Sequence, residues 1–81
     1  MNEVVDARGL LCPLPVIRLA RAAAGVAPGT LLTIWCTDPA ARLDVAAWAR
    51  MRGHTVLRIA DLTDGALAMD VRIGDDAPRR A

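Results

Sequence analysis

Two points in the sequence carry the same signal for the start of a helix. Cys12 is followed by Pro13 and Pro15, and Asp38 is followed by Pro39. Proline is favoured in the first turn of a helix because its missing N–H would have no intrahelical acceptor there. Cys12 is therefore predicted at or near one N-cap, and Asp38, a preferred capping residue, at the other. A short apolar segment typical of a strand precedes each signal, so the chain is predicted to begin with two strand–helix units.

The residues that follow the two signals have the apolar spacing of amphipathic helices. The first helix is predicted to begin at Pro13 and to fade at Gly25. The second is predicted to run to about Arg52, with Gly53 closing it. The side chains predicted to face the core are Val16, Leu19, Ala20 and Ala23 in the first helix and Ala41, Val45, Trp48 and Ala49 in the second.

Further segments have the composition or the alternation of β-strands. The predicted strands are Glu3 to Ala7, Thr30 to Cys36, Thr55 to Ala60 and Ala66 to Ile73. The second is almost continuously apolar, which is typical of a central strand covered on at least one face. In the last strand, the side chains predicted to face inward are Leu67, Met69, Val71 and Ile73. Asp64-Gly65 predicts a hairpin turn between the third and fourth strands.

The predicted order of elements is therefore β-α-β-α-β-β. Strands joined through a helix connect by right-handed crossovers, which put both helices on the same face of the sheet. The fold is accordingly predicted to be α/β (α+β), a two-layer sandwich with a four-stranded mixed sheet and two helices on one face. At 81 residues the chain forms one domain, with a core over about 3–74 and a polar tail, 75–81, that is predicted to be frayed.

Charge and hydropathy exclude several classes of function. Ten basic residues balance nine acidic ones for a net charge of +1, and the chain contains no lysine. The balance gives no general electrostatic reason to bind nucleic acid, and the missing lysine excludes Schiff-base chemistry and a phosphate-binding loop of the Walker type. No apolar run approaches the length of a membrane span, and the N-terminus carries Glu3 and Asp6 instead of a basic leader. A soluble, cytoplasmic protein is expected.

Cys12 is the candidate functional residue, because a thiol at a helix N-terminus meets the positive end of the helix dipole. Cysteines in such places have pKa values lowered from about 8.5 to roughly 3.5–7.5, so we expect Cys12 to be a reactive thiolate. Arg8 is predicted to add positive potential, and Gly9 to let the incoming loop turn freely. Pro13 and Pro15 would stiffen the frame around the thiol. The alternative is a buried packing cysteine, which has no need of two flanking prolines.

Other kinds of thiol chemistry fit the sequence less well. A thioredoxin-like site needs Cys-x-x-Cys, and here the fourth position is Pro15. A Cys–His hydrolase needs a base within hydrogen-bond reach of the thiol, whereas His54 is predicted at the start of the third strand, far from Cys12. Cys12, Cys36 and His54 include no close pair of metal ligands, so no zinc site is predicted.

Cys36 ends the second predicted strand, at the sheet edge where the first strand also ends. It alternates with Leu32 and Ile34 and is predicted to be a small core residue, buried and unbridged. The alternative is a thiol close enough to Cys12 to form a reversible disulfide, which requires Cα atoms within about 7 Å of each other.

One longer stretch and three shorter motifs resemble a known family. Asp6 to Pro15 reads Asp-Ala-Arg-Gly-Leu-x-Cys-Pro-x-Pro, Asp-Pro-Ala opens the second helix, Gly-His opens the third strand, and Asp-Gly forms the hairpin. Together, over about residues 4 to 74, they resemble the TusA/SirA/YedF-like family of small sulfur-transfer proteins. The resemblance implies that Cys12 carries sulfur as a persulfide and that the protein relays this sulfur between partner proteins, as a carrier and not as a stand-alone catalyst.

The resemblance also implies the partners. The donor would be a cysteine desulfurase or a rhodanese-like protein, and the acceptor another protein, in a route that ends in tRNA thiolation or in sulfur oxidation. No cofactor, metal, membrane or direct nucleic-acid partner is expected, and the protein is expected to act as a monomer. Independently of the resemblance, a carrier needs little more than an accessible thiol that can exchange with a persulfide.

Two other functions stay open: a regulatory or adaptor module without sulfur chemistry, and a monothiol redox sensor. An adaptor for RNA would have stacking aromatic residues and a basic stripe, but Trp35 and Trp48 are predicted within secondary structure. Arg18 and Arg21 lie together on one face of the first helix and, with Arg8, are predicted to dock acidic partners. The alternative is a merely solvated helix face.

Overall fold

A computed structural model describes residues 2–74 of the chain. Its elements are β1 (Asn2–Ala7), α1 (Leu14–Ala24), β2 (Leu31–Cys36), α2 (Pro39–Arg52), β3 (Thr55–Asp61) and β4 (Leu67–Arg72), with a short 3-10 turn at Thr63–Gly65. The predicted order β-α-β-α-β-β is confirmed, and the predicted ends of the elements lie within about one residue of the observed ones. The tail that was predicted to be frayed lies outside the described residues.

The sheet is mixed, with the strand order β1-β2-β4-β3. β1 pairs with β2 in parallel, and β4 is antiparallel to both of its neighbours. The last strand therefore inserts between β2 and β3. The hairpin that allows this return passes through Asp64 and Gly65, whose φ angles are 68° and 77°. Positive φ at consecutive residues is the conformation for which Asp-Gly is favoured in tight hairpins.

One face of this sheet is covered by the two helices. Buried and half-buried side chains alternate along β2, which is the period-two pattern of a strand with one covered face. The buried core cluster consists of Ala7, Leu19, Leu32, Ile34, Val45, Met69, Val71 and Ile73. Because its members come from both helices and from the sheet, the predicted two-layer sandwich is confirmed. No helix within residues 2–74 is long and apolar enough to cross a membrane.

The parallel pairing of β1 and β2 places the ends of both strands at one edge of the sheet. Ala7, the last residue of β1, lies opposite Cys36, the last residue of β2. The loops that leave these strands are joined where the Gly9 N–H donates to Thr37 Oγ1 at 2.9 Å. Gly9 has a φ of 82°, which glycine adopts without a steric penalty from a Cβ atom. This junction brings the loop that contains Cys12 to the N-terminus of α2.

The opposite edge of the sheet is closed by a backbone contact that requires glycine. Gly74, just after β4, donates its N–H to Nδ1 of the buried His54 at 2.9 Å. A Cβ atom on Gly74 would overlap the carbonyl group of Gly53. The close approach of these two segments therefore excludes a side chain at position 74.

We predict that Gly74→Ala lowers the free energy of unfolding by about 1–3 kcal/mol, the usual cost of forcing an extra group into a packed site. Urea denaturation followed by circular dichroism measures this change. Gly25→Ala is the matched control, because its φ is −98° and a Cβ atom there meets only the Ala22 carbonyl oxygen, at 3.8 Å. Equal losses of stability in the two variants would contradict the contact.

Candidate functional site

Cys12 lies between the loop after β1 and the first turn of α1. The N-cap of this helix is Pro13 and its first residue is Leu14, so Cys12 precedes the cap instead of forming it. Cys12 is therefore near the cap, as predicted, and the chain turns just before the helix, where the Leu14 N–H donates to the Leu11 carbonyl oxygen at 2.8 Å. The Cys12–Pro13 peptide is cis. Cys12 is exposed, which leaves its sulfur open to a partner.

The carboxylates of Asp38 and Asp44 hold Cys12 in place. Its thiol donates a hydrogen bond to Asp44 Oδ2, with 2.6 Å between sulfur and oxygen. Its backbone N–H donates to Asp38 Oδ2 at 2.7 Å. The other oxygen of Asp38 accepts the Ala40 N–H at 3.0 Å and caps α2, as the sequence predicted. The start of α2 therefore positions both the backbone and the sulfur of the cysteine.

The carboxylates also shift the titration of the thiol in favour of its neutral form. The pKa of Cys12 is raised, first because the neutral thiol donates its hydrogen bond to Asp44. Partial desolvation and the negative charges of Asp44 and Asp38 raise the pKa further, since each disfavours the thiolate. The predicted lowering of the pKa of Cys12 is therefore wrong. In contrast, the hydrogen bonds from the Cys12 and Ala40 N–H groups lower the pKa of Asp38.

At the N-terminus of α1, the two prolines leave fewer N–H donors to offset the negative charges of Asp44 and Asp38. Pro13 and Pro15 have no N–H to offer a thiolate. The N–H of Leu14 is bonded to the Leu11 carbonyl oxygen, and that of Cys12 to Asp38. Stabilisation of an anion at a helix N-terminus depends on unpaired N–H groups that point at it. The backbone of residues 12–15 therefore presents no free N–H to the sulfur.

Arg8 forms an ion pair with Asp6, in the segment that leads to Cys12. Its guanidinium donates to both carboxylate oxygens of Asp6, at 2.9 and 2.8 Å, and lies 4.9 Å from the centre of the Trp35 ring. The hydrogen bonds from Arg8 lower the pKa of Asp6 to about 2. Trp35 alternates along β2 with the buried Ile34 and Cys36, so it faces away from the helices. Arg8 is therefore paired within its own loop, and the shift in the pKa of Cys12 comes from Asp44, desolvation and Asp38 instead.

A groove of about 350 Å³ opens beside the thiol, between the two helices. Its lining residues are Cys12, Pro13, Val16, Asp44, Ala47, Trp48, Met51 and Arg52. The walls are mostly hydrophobic, and the exposed Leu11 and Leu14 flank the cysteine in the chain. The sulfur is therefore next to an apolar surface into which part of a partner protein can fit.

Asp44 is the residue of this site that the sequence interpretation missed. An aspartate on the outer side of an amphipathic helix looks like any solvated residue. The available signal is the spacing of Asp44, Trp48, Met51 and Arg52, which recur at positions i, i+4, i+7 and i+8. Residues at this spacing share one stripe of a helix, and in α2 that stripe forms one wall of the groove.

Comparison with known proteins gives the family. The family model described as sulfurtransferase TusA matches residues 3–73. The chain belongs to the TusA family. It is 36% identical to the protein YrkI of Bacillus subtilis over 63 residues, which are 78% of this chain and 84% of YrkI. It is 37% identical over 57 residues to the sulfur carrier protein TusA of Pseudomonas aeruginosa, covering 70% of this chain and 72% of that protein.

A solved structure confirms the fold of this TusA-family chain. The SirA-like protein of Desulfitobacterium hafniense superposes with a TM-score of 0.80, over 91% of this chain and 99% of the other. The two sequences are 24% identical, so this likeness supports the arrangement of helices and strands and not a shared activity. The two helices and four-stranded mixed sheet are thus a known architecture.

Cys36 and His54, also singled out in this TusA-family sequence, are buried, whereas Cys12 is exposed. Cys36 is buried and unbridged, as predicted, and its burial raises the pKa of its thiol. His54 is buried at the start of β3, where it bonds to Gly74 and its ring centre lies 4.7 Å from that of Trp48. The described residues contain no group of side chains able to hold a metal ion. The described side chains that bond to Cys12 are those of Asp44 and Asp38.

Arg18 and Arg21 are exposed on α1. Within residues 2–74 the ion pairs are Arg8–Asp6 and Arg58–Asp70, so neither arginine of α1 is paired there. Their charges are consequently available to a partner or to solvent. The structure does not bring them into contact with the sulfur.

We predict that Asp44→Asn lowers the pKa of Cys12, because the substitution removes a negative charge beside the sulfur and weakens the hydrogen bond that stabilises the neutral thiol. The rate of alkylation by iodoacetamide, followed by mass spectrometry across a range of pH, gives the pKa. Alkylation at pH 7 is expected to be faster in the variant than in the parent protein. Glu3→Gln, at the other end of β1, is the matched control. Coincident pH profiles for the parent and Asp44→Asn would contradict the assigned cause.

Proposed function

We propose that this protein is a sulfur carrier that holds transferable sulfur as a persulfide on Cys12. The observation that carries the proposal is the exposed thiol at the edge of an apolar groove. In the described part of the chain, the thiol's hydrogen-bond partner is Asp44, with no second cysteine bonded to it. Such a site fits a protein that exchanges sulfur with partners and leaves the rest of the chemistry to them. The names of its relatives support the same function.

Loading is a thiol–persulfide exchange. The Cys12 sulfur attacks the outer sulfur of a donor persulfide, a new S–S bond forms, and the S–S bond within the donor breaks. Cys12 loses its proton, and the departing donor thiolate gains one. The products are a persulfide on Cys12 and a thiol on the donor, so atoms and electrons balance without an external oxidant. Delivery to an acceptor is the same exchange in the opposite direction.

The partners proposed for this carrier are proteins. A cysteine desulfurase or a rhodanese-like protein would donate the sulfur, and a second protein would accept it. A monomeric carrier in the cytoplasm suits this relay, because a reducing compartment keeps thiols available for exchange. The route would end either in tRNA thiolation or in sulfur oxidation. A strain that lacks the gene for this protein distinguishes the two routes. A loss of thiolated tRNA would indicate the first, and a lower rate of sulfur oxidation would indicate the second.

The first test is sulfur loading of Cys12→Ser. We expect the parent protein to gain one sulfur atom after incubation with a cysteine desulfurase and cysteine, and Cys12→Ser to gain none. The fold should persist, because the changed side chain is exposed. Intact-protein mass spectrometry measures the gain, and circular dichroism checks the fold.

Cys36→Ala is the matched control for the loss of a cysteine. Since Cys36 is buried and unbridged, its replacement should leave loading unchanged. Sulfur gained by Cys12→Ser would contradict the assignment, and a loading defect in folded Cys36→Ala would make the site a two-thiol device. A parent protein that gains no sulfur would favour an adaptor. Sulfenic acid or a mixed disulfide in place of the persulfide would favour a redox sensor.

We further propose that Arg18 and Arg21 attract acidic regions of these partners. Charges at the rim of an interface mainly change the association rate and its dependence on salt. Arg18→Glu is therefore expected to slow loading at low salt by about two- to fivefold, and less at high salt, where charges are screened. Arg72→Glu, on a strand of the sheet, is the control. An unchanged loading rate for Arg18→Glu at low salt would contradict this role.

A further inference from the structure

The carboxylate of Asp44 has an unusual partner for a charged group in a groove. Asp44 is half-buried, and its hydrogen bond goes to the neutral thiol of Cys12. The ion pairs within residues 2–74 involve Asp6 and Asp70 but not Asp44. The groove therefore contains a negative charge that no basic side chain of the described chain neutralises.

Within residues 2–74, neither Arg52 nor Arg8 forms an ion pair with Asp44. Arg52 also lines the groove, but it comes eight residues after Asp44, about 12 Å further along the helix at 1.5 Å per residue. Arg8 is bonded to Asp6 and lies against Trp35. A cation that pairs with Asp44 has to arrive from another molecule.

A partner that covers the groove would make the unpaired charge costly. Docking on the walls formed by Val16, Trp48 and Met51 removes water from Asp44, and a carboxylate without a counter-charge is strongly disfavoured in such surroundings. The same carboxylate opposes the thiolate that must form when Cys12 attacks. A cationic group supplied by the partner relieves both penalties at once.

We propose that the sulfur donor carries a basic side chain next to its persulfide, and that this side chain pairs with Asp44 and displaces the Cys12 thiol from it. The inference rests on the proposed function and adds the chemistry of the partner's surface: a cation beside the reacting sulfur, surrounded by apolar side chains that fit the groove. Before docking, the bond to Asp44 keeps the Cys12 thiol neutral. A neutral thiol reacts poorly with solutes, because the thiolate is the nucleophile.

Docking of the donor favours the thiolate of Cys12, and therefore its attack on the donor persulfide. Once the partner's cation neutralises Asp44, the thiol loses its acceptor and the adjacent negative charge is offset. The Cys12 sulfur attacks the outer sulfur of the donor, the S–S bond of the donor breaks, and the proton that Cys12 loses is balanced by the one that the donor's departing inner sulfur takes up. Because water is excluded from the covered groove, the pairing of the cation with Asp44 is stronger than it would be in bulk solvent.

Small disulfides of opposite charge test this inference on the isolated protein. Each exchanges with Cys12 to give a mixed disulfide and one free small thiol. Cystamine presents an ammonium group to Asp44, and dithiodipropionate presents a carboxylate. The quantity measured is the ratio of the two rate constants for the mixed disulfide at Cys12, obtained by mass spectrometry at low salt. Differences in intrinsic reactivity cancel when this ratio is compared between the parent protein and its variants.

We expect Asp44→Asn to lower the cystamine-to-dithiodipropionate ratio by about fivefold, the size expected for one partly exposed ion pair. Asp44→Ala should give the same fall, and Glu3→Gln should leave the ratio at the parental value. A ratio that Asp44→Asn and Asp44→Ala leave unchanged would overturn the inference. So would a fall of equal size in Glu3→Gln, because the effect would then be that of net charge.

This assay contains no persulfide, so its outcome is separate from that of the loading assay. If Cys12 fails to accept sulfur, the proposed function is wrong whatever the charge ratio. If Cys12 accepts sulfur but the charge ratio does not depend on Asp44, the carrier function stands and the cationic donor surface is rejected.

Discussion

The carboxylate of Asp38 connects the loop that contains Cys12 to the start of α2. One oxygen caps the N-terminus of α2, and the other accepts the backbone N–H of Cys12. The same interaction that starts the helix therefore holds the preceding strand–loop unit against it. Since the beginning of α2 is fixed relative to Cys12, Asp44 is placed one and a half turns later, at 2.6 Å from the sulfur. The contacts of the Asp38 carboxylate thus cap α2 and also help to place Asp44 beside the thiol.

That arrangement gives a thiol whose reactivity depends on its partner. Cysteines at helix ends are often activated by N–H donors, but here the two prolines have none and the neighbouring N–H groups are bonded elsewhere. Two negative charges then favour the neutral form. We infer that the carrier exchanges sulfur slowly with small solutes and faster where a matching partner surface covers the groove. The proposed cation on the donor would pair with Asp44 and offset the negative charge that disfavours the thiolate.

Much of the fold follows from local patterns in the sequence. Capping by Asp38 and Pro39, the hairpin at Asp64-Gly65, and the alternation in β4 each depend on residues close together in the chain, and each was predicted. The bond between Cys12 and Asp44 spans 32 positions, and no local pattern reports it. The lowered pKa predicted for Cys12 is wrong for a related reason. Proline favours the start of a helix, but it also lacks the N–H that would stabilise a thiolate there.

In the free protein, Cys12 is a neutral thiol bonded to Asp44. A pH titration of the Cys12 ¹³Cβ chemical shift by NMR measures the protonation of this sulfur directly, without a chemical reaction. We expect a midpoint above the usual thiol value of about 8.5, and a lower midpoint in Asp44→Asn. A midpoint below neutral pH in the parent protein would show that Cys12 rests as a thiolate and would contradict the account.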